Sequence, residues 1–295
     1  TEPMQKTIQL FLMDGDATGR IKASLTNWTG LVYSLPRTYL AQSKKDRPDL
    51  QSTGVYFLLG RSEETSQDII YIGQAGEREN GKGLLGRIEE HDKSKEFWNK
   101  AILVLTSNNS FGATDITYLE RSFYDLALKS GRYSFENNQV PSHGNVTEEK
   151  KAELDEFIEY VRLVVGSMGY RMFEPMLPTS HHKKQNNKNP ETQNLHIQLN
   201  GKVIACGQRN DEGFVLRSGS LLMPPKESFP PSLLKKREEL EKASKIASGK
   251  TTEDILFSAP STAARFVLGR SANGLDMWKD KNGKTLGDIM KSDNN

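Results

Sequence analysis

The sequence predicts an α/β protein in which a small three-stranded antiparallel sheet is flanked by helices, followed by a smaller mixed α+β C-terminal domain. Three short apolar runs, at residues 54–59, 68–73 and 100–106, have the length of buried strands. Two stretches with apolar residues at helical spacing, residues 84–91 and 115–130, alternate with them. The order strand, strand, helix, strand, helix is typical of helices packed on a single sheet.

The connections support this order of elements. The loop between the first two strands, residues 60–67, is short and polar, which predicts an antiparallel hairpin. A Gly-rich loop over residues 76–83 leads into the first helix. Gly131 ends the second helix. The apolar stripe of that helix consists of Ile116, Leu119, Phe123, Leu126 and Ala127.

Changes of composition along the chain predict four segments. Residues 175–195 change in character, and within them residues 180–190 are polar, basic and free of apolar anchors, which is typical of a linker. In chain order we expect an N-terminal β-rich extension (1–50), the main domain with a trailing helix (51–174), this linker (175–195) and an accessory domain (196–295).

The composition excludes several classes of protein. The chain has 295 residues, a net charge of +2 and one cysteine, Cys206, so it has neither an internal disulfide framework nor a thiolate zinc site. No apolar stretch has the length of a membrane span, and no signal segment is recognisable. These features predict a cytoplasmic protein without membrane contact. The near-balanced charge does not decide whether nucleic acid is a partner.

Five short motifs follow one another on the predicted elements of the main domain. They are Gly54-Val55-Tyr56, Tyr71-Ile72-Gly73, Gly86-Arg87, Glu120, and either Asn137 or Asn138. In this order they resemble the GIY-YIG nuclease superfamily over roughly residues 53–140, with Val55 in place of isoleucine. Each motif alone is a weak signal, but the ordered set is much stronger.

This resemblance implies a metal-dependent endonuclease that hydrolyses phosphodiester bonds, with DNA expected rather than RNA. Glu120 would hold the Mg²⁺ or Mn²⁺ ion, which prefers hard carboxylate oxygens. Arg87 would bind the scissile phosphate through its planar fork. Tyr56 would be the general base for the attacking water, and Tyr71 would position water or phosphate. His91 shares a helix face with Arg87 and would take part in proton transfer or phosphate binding.

Two further residues belong to the site that the resemblance implies. Gly73 would let the substrate approach the backbone closely. Asn137 is assigned to the catalytic set, with Asn138 as the alternative.

Each of these residues also has an ordinary structural interpretation. Tyrosines in apolar strands are often core residues, and a glutamate in the middle of a helix often lies on a solvated face. Arg87 has Glu89 and Glu90 as possible ion-pair partners, and asparagines favour turns. The alternative function is therefore a nuclease-like domain that binds nucleic acid or protein without cutting.

The C-terminal segment carries a second resemblance. Residues 258–274, with Trp278 and the Gly283-Lys284-Thr285-Leu286 run, resemble an uncharacterised domain that commonly ends bacterial GIY-YIG proteins. The segment is also similar to a module of restriction systems and adenine methylases. Basic residues around an aromatic ring suit phosphate contact and base stacking, so we assign substrate binding to four residues. They are Arg265, Arg270, Trp278 and Lys279. In the alternative interpretation Trp278 forms a small core with Phe266.

Overall fold

The structure, a computed structural model, describes residues 5–63, 67–76, 83–176 and 194–293. It divides into two compact units, Thr1–Glu174 and Pro175–Asn295, which are described separately. Among the described residues, no helix is both long enough and apolar enough to cross a membrane.

The first unit is built on one seven-stranded sheet rather than the predicted three-stranded one. The strands are β1 (Ile8–Leu12), β2 (Ile21–Leu25), β3 (Gly30–Pro36), β4 (Gly54–Arg61), β5 (Asp68–Ala75), β6 (Trp98–Thr106) and β7 (Ser134–Phe135). Their spatial order is β1-β2-β3-β6-β4-β5-β7, and all neighbours are antiparallel except the pair β5–β7.

The three-stranded prediction is wrong because the N-terminal strands continue the sheet. Strand β3 pairs along its whole length with β6, from Gly30 opposite Thr106 to Pro36 opposite Lys100. Strand β6 is buried over most of its length, so leaving its second edge open would expose unpaired backbone groups beside a core. Residues 8–36 are therefore part of the main sheet.

Helices cover both faces of this sheet. Successive residues of β4 enter opposite cores, with Val55 and Phe57 on one face and Tyr56 and Leu58 on the other. This explains why β4 is a continuous apolar run and does not alternate with polar residues. The helices are α1 (Leu40–Asp46), α2 (Leu84–Ser94), α3 (Ala113–Ser130) and α4 (Glu148–Ser167). The first core includes α3 and α4, and the second includes α1 and α2.

A buried arginine joins the N-terminal hairpin to the second core. Arg20 donates to Asp14 in the β1–β2 turn at 2.8 Å and to Asp46 at the end of α1, also at 2.8 Å. Its guanidinium also donates to Ser43. The network fixes the β1–β2 hairpin against α1.

The second unit contains a four-stranded antiparallel sheet in the order β13-β10-β9-β8 and a small hairpin, β11–β12. Its core is continuous and includes Trp278, Phe214 and Phe266. Its strands are β8 (Leu195–Leu199), β9 (Lys202–Asn210), β10 (Gly213–Leu216), β11 (Ile246–Ala247), β12 (Lys250–Thr251) and β13 (Ile255–Phe257). Its helices are α5 (Pro231–Lys242), α6 (Pro260–Leu268), α7 (Gly274–Met277) and α8 (Leu286–Asp293).

Candidate functional site

Two tyrosines from adjacent strands lie together on the α2 side of the sheet. Tyr56 stands opposite Gly73, and Tyr71 stands opposite Leu58, two pairs further along the β4–β5 ladder. The two phenol rings are 6.2 Å apart between centroids, with 30° between their planes. Tyr56 has no exposed surface, whereas Tyr71 is half-buried. Solvent therefore reaches only the second phenol.

Gly73 makes room for Tyr56, rather than for a substrate as predicted. A Cβ atom at residue 73 would lie 2.4 Å from the Tyr56 hydroxyl oxygen and 2.5 Å from Cζ of the same ring. The Tyr56 ring thus lies across the β5 backbone, in space that a side chain at residue 73 would fill.

Replacing Gly73 with alanine is expected to destabilise the fold by about 1–3 kcal/mol, because the buried Tyr56 ring must shift. The control is Gly76→Ala, since a Cβ there meets its nearest atom, Cδ1 of Ile116, at an ordinary 3.6 Å. Urea unfolding measures both variants. The loss should be smaller when Gly73→Ala is made in a Tyr56→Ala background; an undiminished loss would exclude the steric explanation.

Helix α2 supplies two polar side chains to the tyrosines. Arg87 and His91 are four residues apart, so they lie on the same helix face. The Tyr56 hydroxyl lies 2.7 Å from Nε2 of His91. The His91 ring is 4.8 Å from the Tyr71 ring between centroids. His91 thus contacts both phenols.

Arg87 stands at the exposed side of this group. Its guanidinium pairs with Glu90, one turn further along α2, and its side chain is 35% exposed. The predicted ion pair between Arg87 and Glu90 is therefore present. The same guanidinium also interacts with Tyr56 and with Tyr71.

The buried groups are neutral near pH 7. Burial raises the pKa of Tyr56 above its ordinary value, and the neighbouring Tyr71 acts in the same direction. Burial lowers the pKa of His91 to about 4, assisted by the positive charges of Arg87 and Lys95. The Tyr56–His91 contact is therefore a hydrogen bond between a neutral phenol and a neutral imidazole.

Acidification is expected to remove the stability that neutral His91 contributes. The pKa of this imidazole is near 6.5 in the unfolded chain and about 4 in the folded one, so the unfolded chain binds more protons between these values. The contribution is fully present above pH 6.5 and is lost as the pH falls toward 4. The stability advantage of the wild type over His91→Gln, from urea unfolding, should shrink between about pH 7 and pH 5. An advantage that grows on acidification would contradict a buried neutral imidazole.

Glu120 belongs to α3, which packs on the face of the sheet opposite to α2, and it contacts the end of β5. Nε2 of Gln74, at the end of β5, donates to Oε2 of Glu120 at 2.9 Å. Burial raises the pKa of Glu120 to about 7, opposed by the Gln74 hydrogen bond and by Arg87. The carboxylate in turn influences the pKa values of Tyr56 and Tyr71. Glu120 is thus half-buried and close enough to interact electrostatically with the tyrosine cluster.

The donor set at Glu120 fits one class of metal ion. Among the described residues, no group of three His, Cys, Asp or Glu side chains is arranged to hold a cation. One half-buried carboxylate does not make a zinc site, which needs three or four protein ligands. It does fit Mg²⁺, which keeps several waters and binds through one or two carboxylates plus substrate oxygens.

Asn137 supports the site and does not face it. Its Oδ1 accepts from the backbone N–H of Ile72 at 3.0 Å, and its Nδ2 donates to the Ile72 carbonyl at 2.8 Å. Both amide atoms thus pair with the β5 backbone, where β7 ends. Asn138 is exposed. The asparagine fixes the edge of β5 between Tyr71 and Gly73.

Two polar residues of the site were not predicted. Lys95 lies four residues after His91, and its Nζ is 4.8 Å from the centre of the Tyr71 ring. The i, i+4 spacing of Arg87, His91 and Lys95 was the signal that could have identified it. Gln74 orients Glu120, a contact between α3 and β5 that no local pattern indicates.

The residues assigned to substrate binding in the second unit differ in exposure. Trp278 has no exposed surface, packs on Phe214 at 4.5 Å between ring centroids, and donates from Nε1 to the Pro260 carbonyl at 2.9 Å. Its ring cannot stack on a base, so the core interpretation is correct. The three cations remain accessible, and within the described part of the chain none of them pairs with a carboxylate. They are Arg265, Arg270 and Lys279.

Two predicted segments lie largely outside the described residues. These are residues 77–82 of the Gly-rich loop and residues 177–193 of the linker.

Comparison with known proteins bears on the second unit. Residues 195–290 match a family described as a domain of unknown function (DUF4357). This agrees with the expected C-terminal domain of unknown function, while its relation to restriction systems stays a prediction. No curated protein and no solved structure matches the chain. Because the family match does not include residues 53–140, the GIY-YIG resemblance of that segment also stays a prediction.

Proposed function

We propose that the first unit is a metal-dependent nuclease that hydrolyses phosphodiester bonds, with DNA as the expected substrate. The observation that carries this proposal is the meeting of Tyr56, Tyr71, Arg87, His91 and Glu120 at one edge of the sheet. These residues come from β4, β5, α2 and α3, so their proximity is a product of the fold and not of local sequence. A base, a cation that binds phosphate and a hard carboxylate are what phosphodiester hydrolysis requires.

The Tyr56–His91 pair provides the proton path. Neutral His91 with an unprotonated Nε2 accepts the hydroxyl proton of Tyr56, and the Tyr56 oxygen takes a proton from the attacking water. Burial keeps the imidazole of His91 unprotonated at neutral pH. Because its pKa is about 4, His91 accepts the proton only as negative charge develops on the phosphate beside it. Tyr71, the half-exposed phenol, contacts the substrate and positions the water.

Arg87 lies between the solvent, from which a substrate would bind, and the Tyr56–His91 pair that transfers the proton. Its guanidinium interacts with Tyr56 while its exposed side faces solvent. Turning toward a phosphate would exchange the Glu90 ion pair for a bidentate phosphate contact.

Glu120, held by Gln74, is the residue that would hold a hydrated Mg²⁺ or Mn²⁺. When bound, such an ion neutralises charge on the phosphate and on the leaving oxygen. In the second unit, Arg265, Arg270 and Lys279 are available for contact with phosphates, which supports a role for this unit in substrate binding.

One observation favours a second candidate function, binding without cleavage. Tyr56 has no exposed surface, so its hydroxyl is closed to water in this arrangement of the site. A protein in which this hydroxyl stays closed would bind nucleic acid through its cations and leave it intact.

Replacing Arg87 with alanine is expected to lower the cleavage rate roughly a hundredfold or more, because a phosphate contact of the transition state is lost. The matched control is Arg121→Ala on α3, which removes an arginine that pairs with Asp125 outside the cluster. The assay follows the nicking of supercoiled plasmid, and of RNA and DNA oligonucleotides, with Mg²⁺ or Mn²⁺. Salt-sensitive binding without cleavage under all these conditions would contradict the nuclease and support the second candidate.

A further inference from the structure

Lys95 is a lysine whose side chain packs against the site instead of extending into solvent. Its backbone N–H ends α2 by donating to the His91 carbonyl at 2.8 Å. Its side chain is only 15% exposed, although lysine side chains are rarely buried without a partner. Its Nζ lies 4.8 Å from the centre of the Tyr71 ring, which is a cation–π distance. The charge of Lys95 therefore acts on the half-buried phenol of the site.

Glu136 ties the ammonium group of Lys95 to the strand that carries this phenol. Oε1 of Glu136 lies 3.9 Å from Nζ of Lys95. The backbone N–H of Glu136 donates to the Ile70 carbonyl at 2.9 Å, directly beside Tyr71 in β5. The Glu136–Lys95 ion pair thus joins the end of α2 to the edge of β5 at Tyr71.

The helix dipole does not explain this arrangement. A cation near the C-terminus of a helix is stabilising wherever its side chain points. Lys93 lies in the same last turn of α2, is exposed, and fills that role without contact to a ring. The direction of the Lys95 side chain, toward Tyr71 and Glu136, therefore needs another reason.

We propose that Lys95 is a positioning residue of the nuclease site, where it holds the Tyr71 ring against His91 and Tyr56. This inference rests on the proposed function, in which Tyr71 contacts the substrate and positions the water. The Tyr71 ring lies 4.8 Å from the His91 ring and 6.2 Å from the Tyr56 ring, between centroids. Because Tyr71 is only half-buried, core packing restrains its ring less than that of Tyr56. Lys95 and Glu136 supply the missing restraint.

Replacing Lys95 with methionine removes the charge and keeps an apolar stem. We expect kcat to fall roughly ten- to a hundredfold with KM changed less than about twofold, because a displaced Tyr71 slows the chemical step and not binding. Lys95→Arg should restore most of the rate, since a guanidinium also stacks on a ring and pairs with a carboxylate. The matched control, Lys93→Met, removes an exposed charge from the same helix turn and should cleave like the wild type.

Glu136→Gln tests the same contact from an exposed residue, so the core stays unchanged. This variant keeps the charge of Lys95, which acts after burial and Arg87 to lower the pKa of His91. A loss of kcat here therefore reports a released ammonium group and not a missing one. The loss should be smaller than in Lys95→Met, and the double variant should be no slower than Lys95→Met alone.

Magnetic resonance of the full chain separates this inference from the proposed function. Cross-relaxation between the ring protons of Tyr71 and His91 should be weaker in Lys95→Met than in the wild type and in Lys93→Met. A wild-type chain that cleaves no substrate would contradict the nuclease, and the ring contact would then decide the role of Lys95. An unchanged ring contact, a Lys95→Met protein as fast as Lys93→Met, or a raised KM with unchanged kcat would overturn the proposal.

Discussion

Replacing Glu120 with alanine is expected to lower the rate of phosphodiester cleavage about a thousandfold and to leave the protein folded. The carboxylate is half-buried beside the tyrosine cluster, where burial raises its pKa to about 7 and Gln74 fixes one of its oxygens. In our proposal it is the only protein ligand of the cation, so no neighbouring side chain replaces it. The core contacts of α3 come from other residues, such as Leu119 and Phe123.

The matched control is Asp125→Ala, which removes an exposed carboxylate from the same helix. This variant should cleave at close to the wild-type rate. Glu120→Gln keeps the volume of the side chain and should be as inactive as Glu120→Ala. Circular dichroism checks that each variant is folded. A Glu120→Ala protein that cuts as fast as the Asp125→Ala control would show that the activity arises elsewhere.

Replacing Trp278 with alanine is expected to destabilise the second unit by about 3–5 kcal/mol, which is the usual cost of truncating a fully buried large aromatic side chain. The ring is buried against Phe214, and its Nε1 donates to the Pro260 carbonyl. Truncation leaves a cavity and also an unpaired carbonyl beside the core. Urea or thermal unfolding measures the loss.

The neighbouring residue provides the control for Trp278. Lys279 is exposed, so Lys279→Ala should change the free energy of unfolding by no more than about 0.5 kcal/mol. In our proposal it weakens nucleic-acid binding through the loss of a phosphate contact. A Trp278→Ala protein with unchanged stability and weakened binding would restore the stacking role that the sequence suggested.

The sequence predicted the three central strands of the first unit, but it did not predict how many strands its sheet contains. The apolar runs predicted strands at residues 54–59, 68–73 and 100–106, and the structure has strands at Gly54–Arg61, Asp68–Ala75 and Trp98–Thr106. The pairing of β3 with β6 joins segments far apart in the chain. Periodicity reports which residues are buried, but it does not report which strand they pair with.

In the candidate site too, local contacts could be predicted from the sequence, and contacts between distant segments could not. The shared face of Arg87 and His91 follows from helical spacing alone. Helix α3 packs on one face of the sheet, and the two tyrosines and α2 lie on the other. Helical spacing therefore gives no sign that Glu120 is near the tyrosines, and only the family resemblance led us to expect it. The roles of Gly73 and Asn137 depend on contacts across β5 and were assigned differently from the sequence.

The most direct test of the site follows the binding of Mn²⁺ by magnetic resonance. If Glu120 holds a cation beside the two phenols and the imidazole, Mn²⁺ should broaden the ring signals of His91 and Tyr71 in a saturable way. Glu120→Gln should abolish this broadening, and Asp125→Asn should preserve it. Ring signals that Mn²⁺ leaves sharp, or broadening that persists in Glu120→Gln, would contradict a cation-binding site at the edge of β5.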